Sequence, residues 1–467
     1  MCRIKINNEV LFAEKGELLS DILQRNGKSV EHPCGGRGTC RKCKVLVDGR
    51  EELSCQYRVS SDVSVSFFMQ SEIVSETGAE VKGEITDNMC LCLDIGTTTL
   101  ALALVSRDTG NIVKVKTATN PQRFFGADVI SRIDYCRKNG ISKLNSVLIT
   151  EINRIIADLD IQENLDLYVS GNATMLHTLF GVDCSSMGVV PYKAQFLEGK
   201  TENGGRIGLK RIKTVISLPS IHSFVGADLV AGMNYIGFPE SEQYNLLVDL
   251  GTNAEIVLYS KESVICTSTA AGPCFEGANI SCGMSATDGA IYKFSRKNDN
   301  MVIDTINKKS PQGICGTGLV DIVAELIDNE IDETGFMEED YKIYGNISLS
   351  QADVRQFQLA KSAVYSGIIA LINIEKIDFD QIEKVYISGG FSAKINIDNA
   401  VKVGLLPNEL KEKCVAINNS SLLGTVKFAC ENNAVNTYTD KAEYIDLSTN
   451  PMFSELFIEN MKFVDES

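Results

Sequence analysis

The amino-acid sequence predicts a small α+β domain followed by a larger α/β domain built from two similar halves. Three observations carry this expectation. The chain has 467 residues, more than the roughly 250 to 300 at which one hydrophobic core stops growing, so several cores are required. A strand, strand, helix pattern opens the chain. A strand ending in Asp-x-Gly-Thr and followed by a second strand occurs twice, at Asp94 and 155 residues later at Asp249, a domain-sized interval. Composition agrees, since 44% apolar and 23% charged residues are ordinary for folded globular chains.

In the first segment Cys2, Ile4 and Ile6 alternate, Asn7-Asn8 signals a turn, and Val10 to Ala13 return as a second strand. Leu18, Leu19, Ile22 and Leu23 then repeat at helical spacing until Asn26-Gly27. This order begins a β-grasp fold. Next comes Cys34-Gly-Gly-Arg-Gly-Thr-Cys40-Arg-Lys-Cys43, with a short strand, Val45 to Val47, and an Asp48-Gly49 turn before Cys55. Four thiolates are what a [2Fe-2S] cluster requires, two per iron. The interleaved glycines let a loop point its amides inward. Zinc and four unrelated buried thiols are the alternatives, but zinc ribbons present two Cys-x-x-Cys knuckles and only Cys40 and Cys43 form one.

Over residues 1–70 this cysteine pattern resembles plant- and vertebrate-type [2Fe-2S] ferredoxin domains. The first gap holds five residues where the plant pattern has four. The eleven-residue gap from Cys43 to Cys55 is similar to that of the iron-sulfur subunit of succinate dehydrogenase. Fifteen cysteines, an odd number without an export signal, point to ligation or burial in a reducing compartment rather than to disulfides.

The 61 acidic and 45 basic residues leave a formal charge of −16, which repels nucleic acid and anionic lipid. No uninterrupted apolar run has the length of a membrane span, and a cytoplasmic location is expected. Residues 71–88 are polar and acidic and read as a linker, either a mobile tether for the cluster or a passive connection.

The remainder, 89–467, is expected to form two subdomains, about 89–240 and 241–440. Leu91 to Leu93 run into Asp94-Ile-Gly96-Thr97-Thr98-Thr99 and then the strand Leu100 to Val105. Leu246 to Val248 run into Asp249-Leu-Gly251-Thr252-Asn253-Ala-Glu255 and then Ile256 to Tyr259. Such small-residue turns hold phosphate oxygens against amides and hydroxyls while the Asp positions Mg²⁺. Val385-Tyr-Ile-Ser388-Gly389-Gly390 is a strand opening into a glycine pair where backbone can approach a ligand closely. Between them, Leu144, Leu148, Ile152, Ile155 and Leu159 form a helix face, and Ser350-Gln-Ala-Asp353 starts another helix with a capping box.

The order and spacing resemble the actin, Hsp70 and sugar-kinase superfamily. Asp94 and its loop correspond to the first phosphate motif, Asp249 to Thr252 to the second, and Ser388 to Gly390 to the adenosine motif. Gly171-Asn172 resembles the start of the first connecting helix, and Gly424 the second. The resemblance implies ATP and Mg²⁺, with Thr97, Thr98, Thr252 and Asn253 bonding phosphate. Asp228 stands where the superfamily's water-orienting acid lies, and Glu255 competes with it for that role.

Further segments narrow the family: Asn120 to Arg132, Ala270 to Met284, Ile314-Cys-Gly316-Thr-Gly318-Leu, and Ser350 to Asp353 with Gln358-Leu-Ala-Lys361. With the cysteine domain ahead of them they resemble the reductive activators of corrinoid proteins over nearly the whole chain. The resemblance implies that an inactive Co(II) corrinoid protein of a methyltransferase system in an anaerobe is reduced to Co(I) at the expense of ATP. An upstream low-potential electron donor is implied as well. The chain carries only a short linker where longer members have a further small domain, and it lacks their late cysteine-rich segment. The partner, the donor and the oligomeric state stay open, a homodimer being one candidate.

Plant-type clusters lie near about −400 mV, and the resemblance places the cobalt couple lower. ATP then has to supply conformational work by closing the two subdomains. Competing readings are an activator of a 2-hydroxyacyl-CoA dehydratase, a redox-regulated small-molecule kinase and a nucleotide-gated binding module. Cys266, Cys274 and Cys282, spaced by eight, read as small buried thiols, and His177 as a core or surface histidine. Glu276 and Asn279 are candidates for contact with the partner.

Overall fold

The computed structural model describes residues 1–6, 9–26, 43–66, 81, 83–126, 128–237, 239, 241–297, 300–327, 329–390, 392–431 and 435–463. Cys34, Cys40 and most of the expected linker lie outside the described residues.

The N-terminal unit comprises β1 (Cys2–Ile6), β2 (Glu9–Ala13), α1 (Leu19–Arg25), β3 (Lys44–Val47), β4 (Arg50–Leu53) and β5 (Val63–Ser66). Its sheet runs β2-β1-β5-β3-β4, with β1 antiparallel to β2 and parallel to β5. Alternation of apolar and polar residues sends Ile4, Ile6, Val45 and Val65 to one face, where Leu19, Ile22 and Leu23 of α1 cover them. This is the β-grasp arrangement.

The first half of the larger domain contains β6 (Met89–Ile95), β7 (Thr99–Ser106), β8 (Ile112–Thr119), α2 (Val129–Asn139), α3 (Ser142–Ala157) and β9 (Leu165–Gly171). It continues with α4 (Ala173–Leu179), β10 (Thr201–Asn203), β11 (Ile212–Ser217) and α5 (Ala227–Ile236). The second half begins with β12 (Tyr244–Leu250), β13 (Ala254–Tyr259) and β14 (Val264–Thr269). An insertion follows: β15 (Ala290–Lys297), β16 (Asn300–Thr305), β17 (Gly313–Ile314), α6 (Gly316–Leu326), β18 (Tyr341–Tyr344) and β19 (Ile347–Leu349). Then come α7 (Gln351–Glu375), β20 (Ile382–Ser388), α8 (Ile397–Lys402), β21 (Cys414–Ala416), α9 (Ser420–Glu431), α10 (Asn436–Thr439), β22 (Ala442–Tyr444) and α11 (Pro451–Glu459).

The two large sheets have one topology. The first runs β10-β11-β9-β6-β7-β8 and the second β21-β20-β12-β13-β14-β22. With the outlying strands β10 and β22 set aside, three antiparallel strands are extended by two parallel ones in both, so α3, α4 and α5 correspond to α7, α8 and α9. The duplication therefore extends from the phosphate turns to whole halves.

The crossing helices are α5 and α9. Leu229, Val230 and Ala231 of α5 share a core with Leu93 and Leu167 of the first sheet and with Leu247 and Val257 of the second. Leu422, Val426 and Ala429 of α9 pack on Cys90, Cys92 and Tyr168 of the first sheet. A Cβ on Gly424 would stand 1.7 Å from the carbonyl oxygen of Ala231, so only glycine permits this approach. Gly171-Asn172, expected to open the first connecting helix, instead opens the short α4, whose N-cap Asn172 accepts from the Met175 amide at 3.0 Å. A Gly-Asn turn before a helix marks a helix start without saying what that helix crosses.

The end of the expected linker is attached to the first half. Val81 bridges Ile112, the Gly83 amide donates to the Ile112 carbonyl at 3.2 Å, and Asn88 Nδ2 donates to Asp108 Oδ1 at 2.8 Å. The edge of β8 offers free backbone groups that a polar segment can pair with. The chain after about residue 440 also returns to the second half. Gln358 Nε2 donates to the Met461 carbonyl at 2.6 Å, Ser362 Oγ to the Phe457 carbonyl at 2.5 Å, and Lys361 Nζ to the Lys462 carbonyl. The Gln358 to Lys361 motif thus straps the C-terminal segment to α7. By length and composition α7 is apolar enough to cross a membrane, but most of that apolar stretch is buried inside this half.

Candidate functional site

Each phosphate turn is held from behind. In the first, the Gly96 amide closes the turn on the Thr99 carbonyl at 2.9 Å. Its carbonyls are engaged by the backing segment: Gly96 accepts from Asn120 Nδ2 at 2.8 Å, Thr98 from the Asn120 amide at 2.8 Å, and Thr97 from Arg132 Nη2 at 2.6 Å. Asn172 Nδ2 donates to Thr97 Oγ1 at 3.2 Å. In the second turn the Gly251 amide reaches the Asn253 carbonyl at 3.1 Å and the Thr252 carbonyl accepts from the Gly272 amide at 2.8 Å. With carbonyls tied back, the turns are set to offer amides and hydroxyls to an anion. The two family segments around Asn120 to Arg132 and Gly272 to Glu276 are therefore the backing of the two turns.

Arg132 is fully buried beneath the first turn, where Nε also donates to the Gly126 carbonyl at 2.9 Å and Nη1 to Gln122 Oε1 at 3.4 Å. Burial pulls its guanidinium down to about 9, against the opposing pull of Asp128 and Glu276. Glu276 was expected at a partner surface. It lies instead behind the second turn, where Oε2 accepts from Thr252 Oγ1 at 2.9 Å and faces Arg132 of the other half. Burial raises its carboxyl. Asn279, three residues on, is exposed with φ 61°.

The carboxyls Asp94, Asp228, Asp249 and Glu255 lie within electrostatic reach of one another beside the two turns, each half-buried. Burial pushes Asp94 up to about 7, opposed by the Ser421 hydroxyl and aided by Asp249. Burial and then the charges of Asp249 and Asp94 raise Asp228 to about 7. Burial raises Asp249 against the hydrogen bond from Ser388 Oγ. Glu255 sits directly across the antiparallel ladder from Asp249, on the same face. Burial, Asp249 and Asp228 together hold it well above the usual carboxylate range. Among the described residues no three His, Cys, Asp or Glu side chains converge on one point as a closed metal site. Crowded carboxyls short of countercharge fit Mg²⁺, which keeps water and phosphate ligands and takes one or two carboxylates.

Ser388, Gly389 and Gly390 end β20 beside Asp249. Gly389, at φ 112°, is forced by the Leu250 carbonyl, 2.2 Å from its would-be Cβ, whereas nothing lies within 4 Å of one on Gly390. The open side of Gly390 leaves room for a ligand. Gly316 and Gly318 have a different cause: Cβ atoms there would meet the Phe275 and Ile291 carbonyls at 2.1 Å, so these glycines seat α6 on neighbouring backbone. His177 is core: Nδ1 bonds the Ala173 carbonyl at 2.7 Å, Nε2 accepts from the Gln195 amide at 3.0 Å, and the ring stacks on Phe196. Cys266 and Cys274 are buried, and Cys282 Sγ faces the Asn346 carbonyl.

In the N-terminal unit Cys43 and Cys55 are buried with their sulfurs 3.2 Å apart and no disulfide. Burial, then the neighbouring Cys55, raise the Cys43 thiol to about 11. Two adjacent thiols released from water suit two sulfur ligands of one iron, which would bind them deprotonated.

The place of Glu276 behind the second turn and the role of Arg132 beneath the first escaped the sequence reading, although a second internal repeat marks the Glu276 segment. Phe125-Gly126-Ala-Asp128 corresponds to Glu276-Gly277-Ala-Asn279, each a few residues after a proline, Pro121 and Pro273, and Tyr168-Val-Ser170-Gly171-Asn172 corresponds to Tyr386-Ile-Ser388-Gly389-Gly390. The sheets pair Asp94 with Ser170 and Asp249 with Ser388 in the same register.

Comparison with known proteins follows the same division. Residues 4–62 match a 2Fe-2S iron-sulfur cluster binding domain, 89–241 the RACo middle region, and 243–467 the C-terminal domain of RACo, the ASKHA domain. The corrinoid activation enzyme RamQ of Eubacterium limosum is 30% identical over 98% of this chain and 98% of its own length. The [Co(II) methylated amine-specific corrinoid protein] reductase of Methanosarcina barkeri is 24% identical over 80% of this chain and 76% of its own. A solved reductive activator for a corrinoid, iron-sulfur protein shares the fold, with TM-score 0.73 and 24% identity over 99% of this chain and 98% of that one.

Proposed function

This chain belongs to the family of corrinoid activation enzymes, and from that premise we propose that it returns the inactive Co(II) state of a corrinoid protein to Co(I), using an electron from its [2Fe-2S] cluster and ATP. The observation that carries the reading is the union in one chain of a buried cysteine pair in a ferredoxin-type domain with duplicated phosphate turns flanked by carboxyls.

Cys34, Cys40, Cys43 and Cys55 would hold the cluster, and the chemistry it would supply is a single electron at low potential. Thr97, Thr98, Thr252 and Asn253 would bind the phosphates of ATP, and Asp94 and Asp249 would hold the Mg²⁺ that neutralises them. Asp228, at the start of a crossing helix and lifted to about 7, is poised to accept a proton from the attacking water near neutral pH. Glu255 faces Asp249 across the ladder, and burial with the charges of Asp249 and Asp228 holds its carboxyl well above the usual carboxylate range, which makes it the weaker candidate for the base. Gly389 and Gly390 border the nucleoside. Because the halves meet through α5 and α9, a ligand gripping both turns shifts one half against the other, and this motion is what couples ATP to the docked partner. The protein acts in the cytoplasm with an upstream low-potential donor.

Stimulation of ATP hydrolysis separates the readings. A Co(II) corrinoid protein should raise the rate, while small metabolites and unfolded peptides should leave it unchanged; stimulation by a metabolite alone would favour a kinase.

A further inference from the structure

The relation between the halves makes Asp228 and Ser421 equivalent, each the second residue of its crossing helix. Three residues on, Ala231 and Gly424 meet where the helices touch. Yet the two sites differ in chemistry. Asp228 brings a carboxyl to Asp249, whereas Ser421 Oγ donates to Asp94 Oδ1 at 2.8 Å. From its crossing helix one Asp receives an acid and the other a hydroxyl, while Asp249 takes its hydroxyl bond from Ser388 of β20.

Ser421 does not act alone. Ser170 Oγ lies 2.8 Å from Ser421 Oγ, and Thr425 Oγ1 lies 2.7 Å from Ser170 Oγ, with all three residues buried. Each hydroxyl owns one proton. That of Ser421 is committed to the carboxylate, so Ser170 donates to Ser421, while the Thr425 hydroxyl lies between Ser170 Oγ and the Ser421 carbonyl, 2.8 Å away, and shares its one proton between them. Two protons therefore run in one direction toward Asp94, an arrangement in which each bond strengthens the next, and Thr425 ties their origin to the first turn of α9.

The local sequence fixes where this chain begins. Asn419, at φ 34°, turns the backbone, and its Oδ1 accepts from the Leu422 amide at 2.9 Å to start α9. Asn234 Nδ2 of α5 then donates to the Gly424 carbonyl at 3.0 Å. A displacement of Ser421 thus moves the start of α9 and, through the crossing, α5.

We infer that Ser421 is a positioning residue for the phosphate site, and the point at which ligand occupancy at Asp94 is passed to the helices joining the halves. The inference rests on the proposed role of Asp94 in Mg²⁺ and phosphate handling. When Asp94 turns an oxygen toward a ligand in the cleft, the hydroxyl chain follows it and draws on α9. Leu422, Val426 and Ala429 carry that movement to the first sheet, and α5 carries it to Leu247 of the second.

The test compares the full chain with Ser421→Ala, Ser421→Thr and Asp94→Ala. Two quantities are read without turnover: the Mg²⁺ dependence of binding a non-hydrolysable ATP analogue, and amide hydrogen exchange of α9 and α5. Ser421→Ala should raise the Mg²⁺ half-saturation about tenfold, the effect of losing a hydrogen bond to a charged group. It should also abolish nucleotide-dependent protection of α9, with the cluster spectrum unchanged and the melting temperature lowered by only a few degrees, and Ser421→Thr should restore both the Mg²⁺ dependence and the protection. Wild-type behaviour of Ser421→Ala, alongside an Asp94→Ala variant that has lost its Mg²⁺ dependence, overturns the inference. If Asp94→Ala keeps its Mg²⁺ dependence, the underlying role of Asp94 falls instead. Should Ser421→Ala not fold, Thr425→Val removes the hydroxyl that ties Ser170 to the Ser421 carbonyl while keeping shape and should weaken nucleotide-dependent α9 protection; full protection there counts against the relay.

Discussion

The contact most exposed to a single methyl group is the one between the crossing helices. In Gly424→Ala the new Cβ would lie 1.7 Å from the Ala231 carbonyl oxygen and 2.4 Å from its carbon, roughly 1.5 to 2 Å short of van der Waals separation. Two effects oppose one another. Alanine gains about 1 kcal/mol of helix propensity over glycine. Overpacking a close-packed core costs about 1 to 3 kcal/mol, and more where the obstructing atoms are backbone rather than the end of a flexible side chain. Both partners here are helix backbone, so the clash prevails and a net loss of roughly 2 kcal/mol or more is expected. For a domain of this size that lowers the melting temperature by several degrees. Because the helices must part, ATP hydrolysis should fall with it, while the N-terminal cluster spectrum persists. Calorimetry and the visible spectrum of one sample check this. A Gly424→Ala protein at least as stable as wild type, with full ATPase activity, would show that α5 and α9 do not meet as described.

Other expectations follow from the site. Asp249→Ala should abolish ATP hydrolysis and leave the visible cluster spectrum intact; joint loss of both would argue against separate modules. Arg132→Lys replaces a planar fork that serves the Thr97 and Gly126 carbonyls together, which one ammonium cannot do, so KM for ATP should rise about tenfold or more in a folded protein. An unchanged KM in steady-state assays would remove Arg132 from the turn. Lys361 gives a pH test. Burial pulls its ammonium down to about 7, below the unfolded value near 10.4, so between these limits the unfolded chain binds the extra proton. The charged form therefore costs stability at and below about pH 7, and the cost lifts as pH rises. In urea titrations wild type should gain on Lys361→Met between about pH 7 and 9.5, whereas a constant difference would mean that Lys361 keeps its ordinary protonation.

What the sequence disclosed was local. The Asp94 and Asp249 turns are short strings with a chemical reason for each residue, and the Ser350 to Asp353 cap spans a single turn of helix, with the Asp353 amide donating to Ser350 Oγ at 3.3 Å. What it withheld depends on packing between distant segments. Gly171-Asn172 looks like the entry to a crossing helix, but the crossing is decided by the approach of Gly424 to Ala231, which no local pattern announces. Glu276 read as a surface residue because its partner Thr252 precedes it by 24 positions, and only the repeat around Gly126 and Gly277 places it behind a phosphate turn. Gly316 and Gly318 have the composition of a ligand loop but are required by the Phe275 and Ile291 carbonyls. The polarity of residues 81–88 hid the pairing of Val81 with Ile112, since edge pairing uses backbone alone.

The central claim is that one chain joins electron delivery to ATP-driven movement for a cobalt partner. It is tested most directly by mixing the reduced protein anaerobically with a Co(II) corrinoid protein and recording the cobalt spectrum with and without Mg-ATP. The account predicts that Co(I) accumulates only with Mg-ATP, and not with Asp249→Ala or with Cys55→Ser. Equal Co(I) formation without ATP, or none with any corrinoid protein despite an intact cluster and active ATPase, would contradict it.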